Sequence, residues 1–250
     1  MMKRRVFVLA AMLALVAALF TLSAFAAEHV RYVGNPVATE GGKYVPKGDG
    51  STPDAPTTLE GAFEYFYNNF ENAENKDKPT TIKPGETCTI YLVEDVMLTR
   101  LRNPGGAIAS SLNTGYAEHA HENNPVRIES APGGAKAAII FPLTGVSGNE
   151  TVLYYFLNGD TTFDNVILRV QSTNTASAII SARGHKLTLG AAVETEVDGS
   201  GKFVSVIGGL VNGGFYPTSV GRTAYDADVT VLSGEYDLIC ALNYTNVSVP

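Results

Sequence analysis

The sequence predicts an all-β fold of stacked strands, a solenoid, and three observations carry that expectation. Between Thr161 and Glu196 the apolar runs Phe163–Val170, Ala178–Ala182 and Leu187–Val193 show no helix-length periodicity, and Asn, Ser, Thr, Gly and Asp separate them. Similar runs bounded by turn residues recur through the chain. Corresponding positions also return: Thr162 to His185 spans 23 residues and His185 to Asp228 spans 43. Those intervals approximate one and two returns of a coil of about 20–25 residues.

Composition agrees with a folded domain. Hydrophobic residues make up 45% of the 250, and charged residues, at 17%, are too few for a disordered charged tail. Because Trp is absent, any aromatic binding platform must use Tyr or Phe.

Residues 1–26 read as a signal peptide. Lys3, Arg4 and Arg5 form a basic n-region, Val6–Leu22 is apolar, and Ala24-Phe25-Ala26 supplies a small-x-small cleavage pattern. An uncleaved anchor competes, since the apolar run is nearly long enough to span a bilayer. The small-residue site favours cleavage, which makes the protein secreted or cell-surface and leaves no stable membrane span. Removing the three n-region cations takes the basic residues from 18 to 15 against 25 acidic ones, a formal charge of −10. Such a surface repels phosphate backbones, so nucleic acid is not an expected partner.

Residues 27–57 form an extended segment and turn. Gly48-Asp49-Gly50 favours positive φ, and Asp49, Ser51 and Asp54 offer oxygens without the spacing of a calcium loop. A helix is expected at 59–70, opened by a capping box with Thr57 as N-cap and Glu60 at N3. Leu59, Ala62, Phe63, Phe66, Tyr67 and Phe70 recur at helical spacing, which gives a packing face.

Strands are then expected at Thr87–Val93, Pro125–Glu129, Ala137–Phe141, Val152–Leu157, the three central runs, Phe203–Val211, Val229–Leu232, Tyr236–Leu242 and Val247–Val249. A long loop, Thr99–Asn124, follows the first. Cys88 and Cys240, 152 positions apart in apolar runs, read as buried unpaired thiols. Asn149, Asn243 and Asn246 open N-glycosylation sequons, but a signal segment of bacterial style makes them unremarkable.

Three patterns resemble the right-handed parallel β-helix proteins, the pectin-lyase-like superfamily. They are the strand, Gly-Asp-Gly turn and capped helix across Lys43–Phe63; Thr161–Arg169, with Asn165 at a turn between strands; and the turn–strand pattern of Ala227–Leu242. The resemblance covers Tyr44 to Val249. It implies a β-helix over 58–250 with helix 59–70 covering its N-terminal end. The sequence stops inside the strand-like pattern Asn246–Pro250, so the expectation is a chain truncated at its C-terminus.

The resemblance also names chemistry to look for. Hydrolytic members carry Asn-Thr-Asp, Asp-Asp and Gly-His-Gly. This chain has neither of the first two, and Lys186 stands where the second Gly would follow Gly184-His185. Arg183, His185 and Lys186 are therefore catalytic candidates whose plainer reading is a β-turn with exposed basic residues. Lyase members hold calcium with carboxylates on one sheet face and use an Arg or Lys base. Glu194, Glu196 and Asp198 alternate along one strand and share a face, a candidate calcium site or else a solvated outer face. Arg169, Arg183 and Lys186 would lie nearby in a stacked coil.

His119 and His121 would share a face in an extended segment but lack a third ligand. No nucleophile elbow, P-loop, dinucleotide fingerprint or zincin pattern occurs. The expectation is thus an exported surface or adhesion-type solenoid that binds glycan and needs no cofactor beyond a candidate calcium ion. The alternative is a lyase or hydrolase acting on acidic polysaccharides.

Overall fold

The structure is a computed structural model, and the residues it describes are 29–38, 44–98, 111–113, 123–142, 152–172, 177–199, 201–209 and 228–240. The signal segment, His119, His121, the three sequons and the C-terminal strand lie outside them.

In chain order the elements are β1 (His29–Val33), β2 (Val37–Ala38), β3 (Tyr44–Val45), helix α1 (Leu59–Asn69), β4 (Cys88–Leu92), β5 (Val96–Met97) and β6 (Ser111–Asn113). Next come β7 (Val126–Ser130), β8 (Ala138–Pro142), β9 (Val152–Phe156), β10 (Thr161–Phe163), β11 (Ile167–Ser172) and β12 (Ser177–Ser181). The last are β13 (Leu187–Leu189), β14 (Glu194–Gly199), β15 (Ser205–Ile207), β16 (Val229–Val231) and β17 (Ile239–Cys240).

Three sheets hold nearly all of these strands. The six-stranded sheet runs β1-β4-β7-β10-β13-β16, the four-stranded sheet β14-β11-β8-β5, and the five-stranded sheet β17-β15-β12-β9-β6. Every pairing within them is parallel, and among the described residues only the small β2–β3 pair is antiparallel. From β4 to β16 the described strands visit the sheets in rotation, six-stranded, four-stranded, five-stranded, and back, and β17 then joins the five-stranded sheet directly. The protein is mostly parallel β with a single helix among the described residues, an arrangement compatible with a solenoid-like fold.

The register corrects the expected coil length. Thr161 pairs with Leu187, 26 positions on, and Leu187 pairs directly with Val229, 42 positions on. The longer interval is therefore one return, not two, and its extra length lies in the connection from β15 to β16. Two expected strands are also broken. Phe163–Val170 divides at Asn165, whose φ is 46°, and Leu187–Val193 ends its strand at Leu189. The expected loop Thr99–Asn124 contains β6, which adds in register to β9 despite its polar Ser-Leu-Asn sequence.

Side chains alternate along each strand, so one row faces inward. Ile90, Ile128, Phe163 and Leu189 form such a row across the six-stranded sheet and are fully buried. Each stabilises the fold by about 1.5–3 kcal/mol through apolar burial. Phe141, Tyr155 and Phe163, one from each sheet, meet in the middle with centroid separations of 6.1 and 6.5 Å. That cluster ties the three walls together.

Helix α1 packs at the β1 end of the stack. Leu59, Ala62, Phe63 and Phe66 are buried in the common core, and the Arg31 guanidinium lies 3.1 Å above the Tyr65 ring. Its cap differs from the expected one. Thr58 is the N-cap, its hydroxyl accepting from Gly61 N–H at 3.1 Å, because the Thr57 backbone is already bonded to Tyr32 and Gly34. Thr57 and Glu60 therefore form no capping box. Tyr67, assigned to the packing face, is 41% exposed.

Candidate functional site

The outer face of the four-stranded sheet carries the carboxylates singled out in the sequence. Glu194, Glu196 and Asp198 do share one side of β14, which pairs residue by residue with β11. Each has a partner of its own. Glu194 meets Lys136 Nζ at 2.5 Å, Glu196 accepts from Arg169 Nε at 2.7 Å, and Asp198 accepts from Gln171 Nε2 at 3.4 Å. Arg169 also donates through Nη1 to Asp95 at 2.7 Å.

The guanidinium thus sits between two carboxylates, and their bonds hold its pKa above the ordinary arginine value despite partial burial. To accept a proton as a base the guanidinium would first have to lose one, and its two carboxylate partners favour keeping it. The carboxylates do not converge: among the described residues no group of three or more His, Cys, Asp or Glu side chains is arranged to hold a metal ion.

Arg183, His185 and Lys186 lie elsewhere. They form the turn from β12 to β13, where the five-stranded sheet passes into the six-stranded one. Arg183 and Gly184 both have positive φ, and His185 N–H closes the turn on Ala182 O at 2.9 Å. The turn is as expected, but only Lys186 is exposed. Arg183 is half-buried, its Nη1 donating to Asn158 at 2.7 Å with the guanidinium 5.9 Å from the Phe156 ring. His185 is 6% exposed, packed into the corner rather than presented to solvent. Lys186 Nζ lies 3.7 Å from Asp228, and Lys186 N–H donates to Asp160. Of the three cations expected near the β14 carboxylates, the fold brings only Arg169 there.

A second polar constellation escaped sequence reading. On the six-stranded sheet, Arg127 donates to Glu129 and to Asp164, both at 2.8 Å. The other Asp164 oxygen accepts from Asn165 N–H at 3.0 Å and Ala192 N–H at 3.2 Å. Gly190 makes room for that carboxylate, since a Cβ there would lie 2.4 Å from Asp164 Oδ1. The one local signal was the Arg127/Glu129 alternation along β7. Asp164 joins them only because coils stack.

The same outer face repeats a motif. By register, Val30, Thr89, Arg127, Thr162, Thr188 and Thr230 form one row across all six strands. Beside it, Tyr32 and Tyr91 are register partners with ring centroids 5.6 Å apart.

At the turn of residues 48–55, Asp49 accepts from Ser51 N–H and hydroxyl at 2.9 and 2.7 Å, which lowers its pKa. This is an Asx turn. Of Cys88 and Cys240 only Cys88 is buried, so the expectation of buried thiols holds for one of the two. Burial, with Glu86 nearby, pushes the Cys88 thiol up to about 12, so it stays protonated and unreactive.

No helix among the described residues is long and apolar enough to cross a membrane. No family model, curated protein or solved structure matches this chain.

Proposed function

We propose that the protein is an exported surface module built as a right-handed parallel β-helix of the pectin-lyase-like kind, and that it binds polysaccharide along the outer face of its six-stranded sheet. Right-handedness follows from the strong preference of crossovers between parallel strands of one sheet. Export follows from the basic, apolar and small-residue sequence of Lys3–Ala26.

The observation that carries glycan binding is the outward, half-buried row of Arg127, Thr162, Thr188 and Thr230, with Tyr32 and Tyr91 on the same sheet. Over β10, β13 and β16 strand spacing repeats the Thr162, Thr188 and Thr230 hydroxyls about every 4.8 Å, a short ladder of donors and acceptors suited to a polymer that repeats sugar by sugar. The ion pairs on the neighbouring faces favour binding over cleavage, since acid–base chemistry needs groups free to exchange protons.

The test is retention of the full chain on immobilised neutral and acidic polysaccharides. Binding weakened about tenfold or more by Thr162→Val with Thr188→Val, which keep shape and remove hydroxyls, supports the proposal. Retention on no polysaccharide, or retention indifferent to both substitutions, overturns it.

A further inference from the structure

β5 is the outermost strand of its sheet at the N-terminal end of the stack. Leu98 N–H donates inward to Ile140 O on β8, so the alternate groups, Asp95 C=O and Met97 N–H, face away from the sheet. In a parallel ladder, one residue of a neighbouring strand would donate to the first and accept from the second. Asn35 does both with its side chain. Its Nδ2 donates to Asp95 O at 2.6 Å and its Oδ1 accepts from Met97 N–H at 3.1 Å. A carboxamide offers the same donor and acceptor as one peptide unit, but it ends there and cannot be extended.

Asn35 is itself anchored. Its N–H donates to Glu94 Oε1 at 2.8 Å, and Lys47 Nζ donates to the same oxygen at 2.6 Å. Gly34 permits the approach, because a Cβ there would lie 2.6 Å from that oxygen. The outer edge of β1 is bonded too: Tyr32 N–H to Gly50 O, Thr57 N–H to Tyr32 O, and Gly34 N–H to Thr57 O, at 2.8–2.9 Å.

Unpaired strand edges template pairing with further chains. We infer that Asn35, held by Glu94 and Lys47, is a one-residue decoy strand that prevents a second copy of this chain from pairing with β5. The inference is independent of what the outer sheet face binds.

The test compares the wild-type full chain with Asn35→Ala by sedimentation velocity across a concentration series and by amide hydrogen exchange. Exchange at Met97 should quicken by about tenfold or more, and the variant should self-associate where the wild type does not. Adding Met97→Pro removes the exposed donor and should restore wild-type sedimentation. If Asn35→Ala does not fold, Asn35→Asp, which keeps the acceptor and loses the donor, is read in the same way. Unchanged Met97 exchange, unchanged association, or association that survives Met97→Pro overturns the inference.

Discussion

Arg169 and Glu196 are register partners on β11 and β14, joined by an Nε–Oε2 contact of 2.7 Å, and the same guanidinium spans back to Asp95. One cation on β11 therefore neutralises a carboxylate on the adjoining strand β14 and another beside β5, two strands away on the other side. Both carboxylates are 44% exposed, so water screens the pairs. Replacing Arg169 with Met should cost about 1 kcal/mol, seen as a lower denaturant midpoint, and the loss should shrink in about 1 M salt, where the screening length is roughly 3 Å.

Asn165 turns the chain between β10 and β11 with φ of 46°, while its carbonyl accepts from the Ser130 hydroxyl. A β-branched side chain is disfavoured in that left-handed conformation. Thermal unfolding of Asn165→Val should report a loss of about 1–2 kcal/mol, whereas Asn165→Gly should match the wild type.

Glu86 links β1 to the loop before β4. Its carboxylate accepts from Lys83 N–H at 2.7 Å and contacts His29 Nε2 at 2.9 Å, and these bonds, Lys83 first, hold its pKa below the ordinary value of 4.5. The unfolded chain thus binds the proton more readily than the folded one. The contribution to stability is present above about pH 4.5 and is lost as pH falls through the lower folded value. Glu86→Gln should flatten that acid limb in a pH series of denaturation midpoints, by lowering the midpoints at neutral and alkaline pH while leaving those at the acid end nearly unchanged.

Tyr155 is 1% exposed, and its hydroxyl has no hydrogen-bond partner among the described residues. Burial raises its pKa, so the phenol stays protonated. Removing an unsatisfied buried hydroxyl without changing the ring should leave stability unchanged or raise it by about 1 kcal/mol. Calorimetry of Tyr155→Phe checks this, and a clear loss would show that the hydroxyl is satisfied.

The strands most legible in the sequence were those with apolar runs between turn residues. β7, β9 and β12 lie within a residue of expectation because Val126–Ser130, Val152–Phe156 and Ser177–Ser181 carry that signal. β5, with two residues, and β6, with sequence Ser-Leu-Asn, carry none; they are strands because neighbouring coils supply their partners. The shared face of Glu194, Glu196 and Asp198 followed from alternation alone. Arg169 beside Glu196 followed from stacking, but Lys136 on Glu194 and Asp95 on Arg169 did not, because they lie 58 and 74 positions from those partners. The N-cap was missed by one residue for a similar reason, since Thr57 is claimed by β1, which no local pattern reveals.

The most direct test of the central claim, binding without cleavage, is incubation of the full-length protein with acidic polysaccharides, with and without calcium, followed by ultraviolet absorbance and by retention of protein on the polymer. The account predicts retention with no rise in unsaturated product in either condition. A calcium-dependent rise would contradict it.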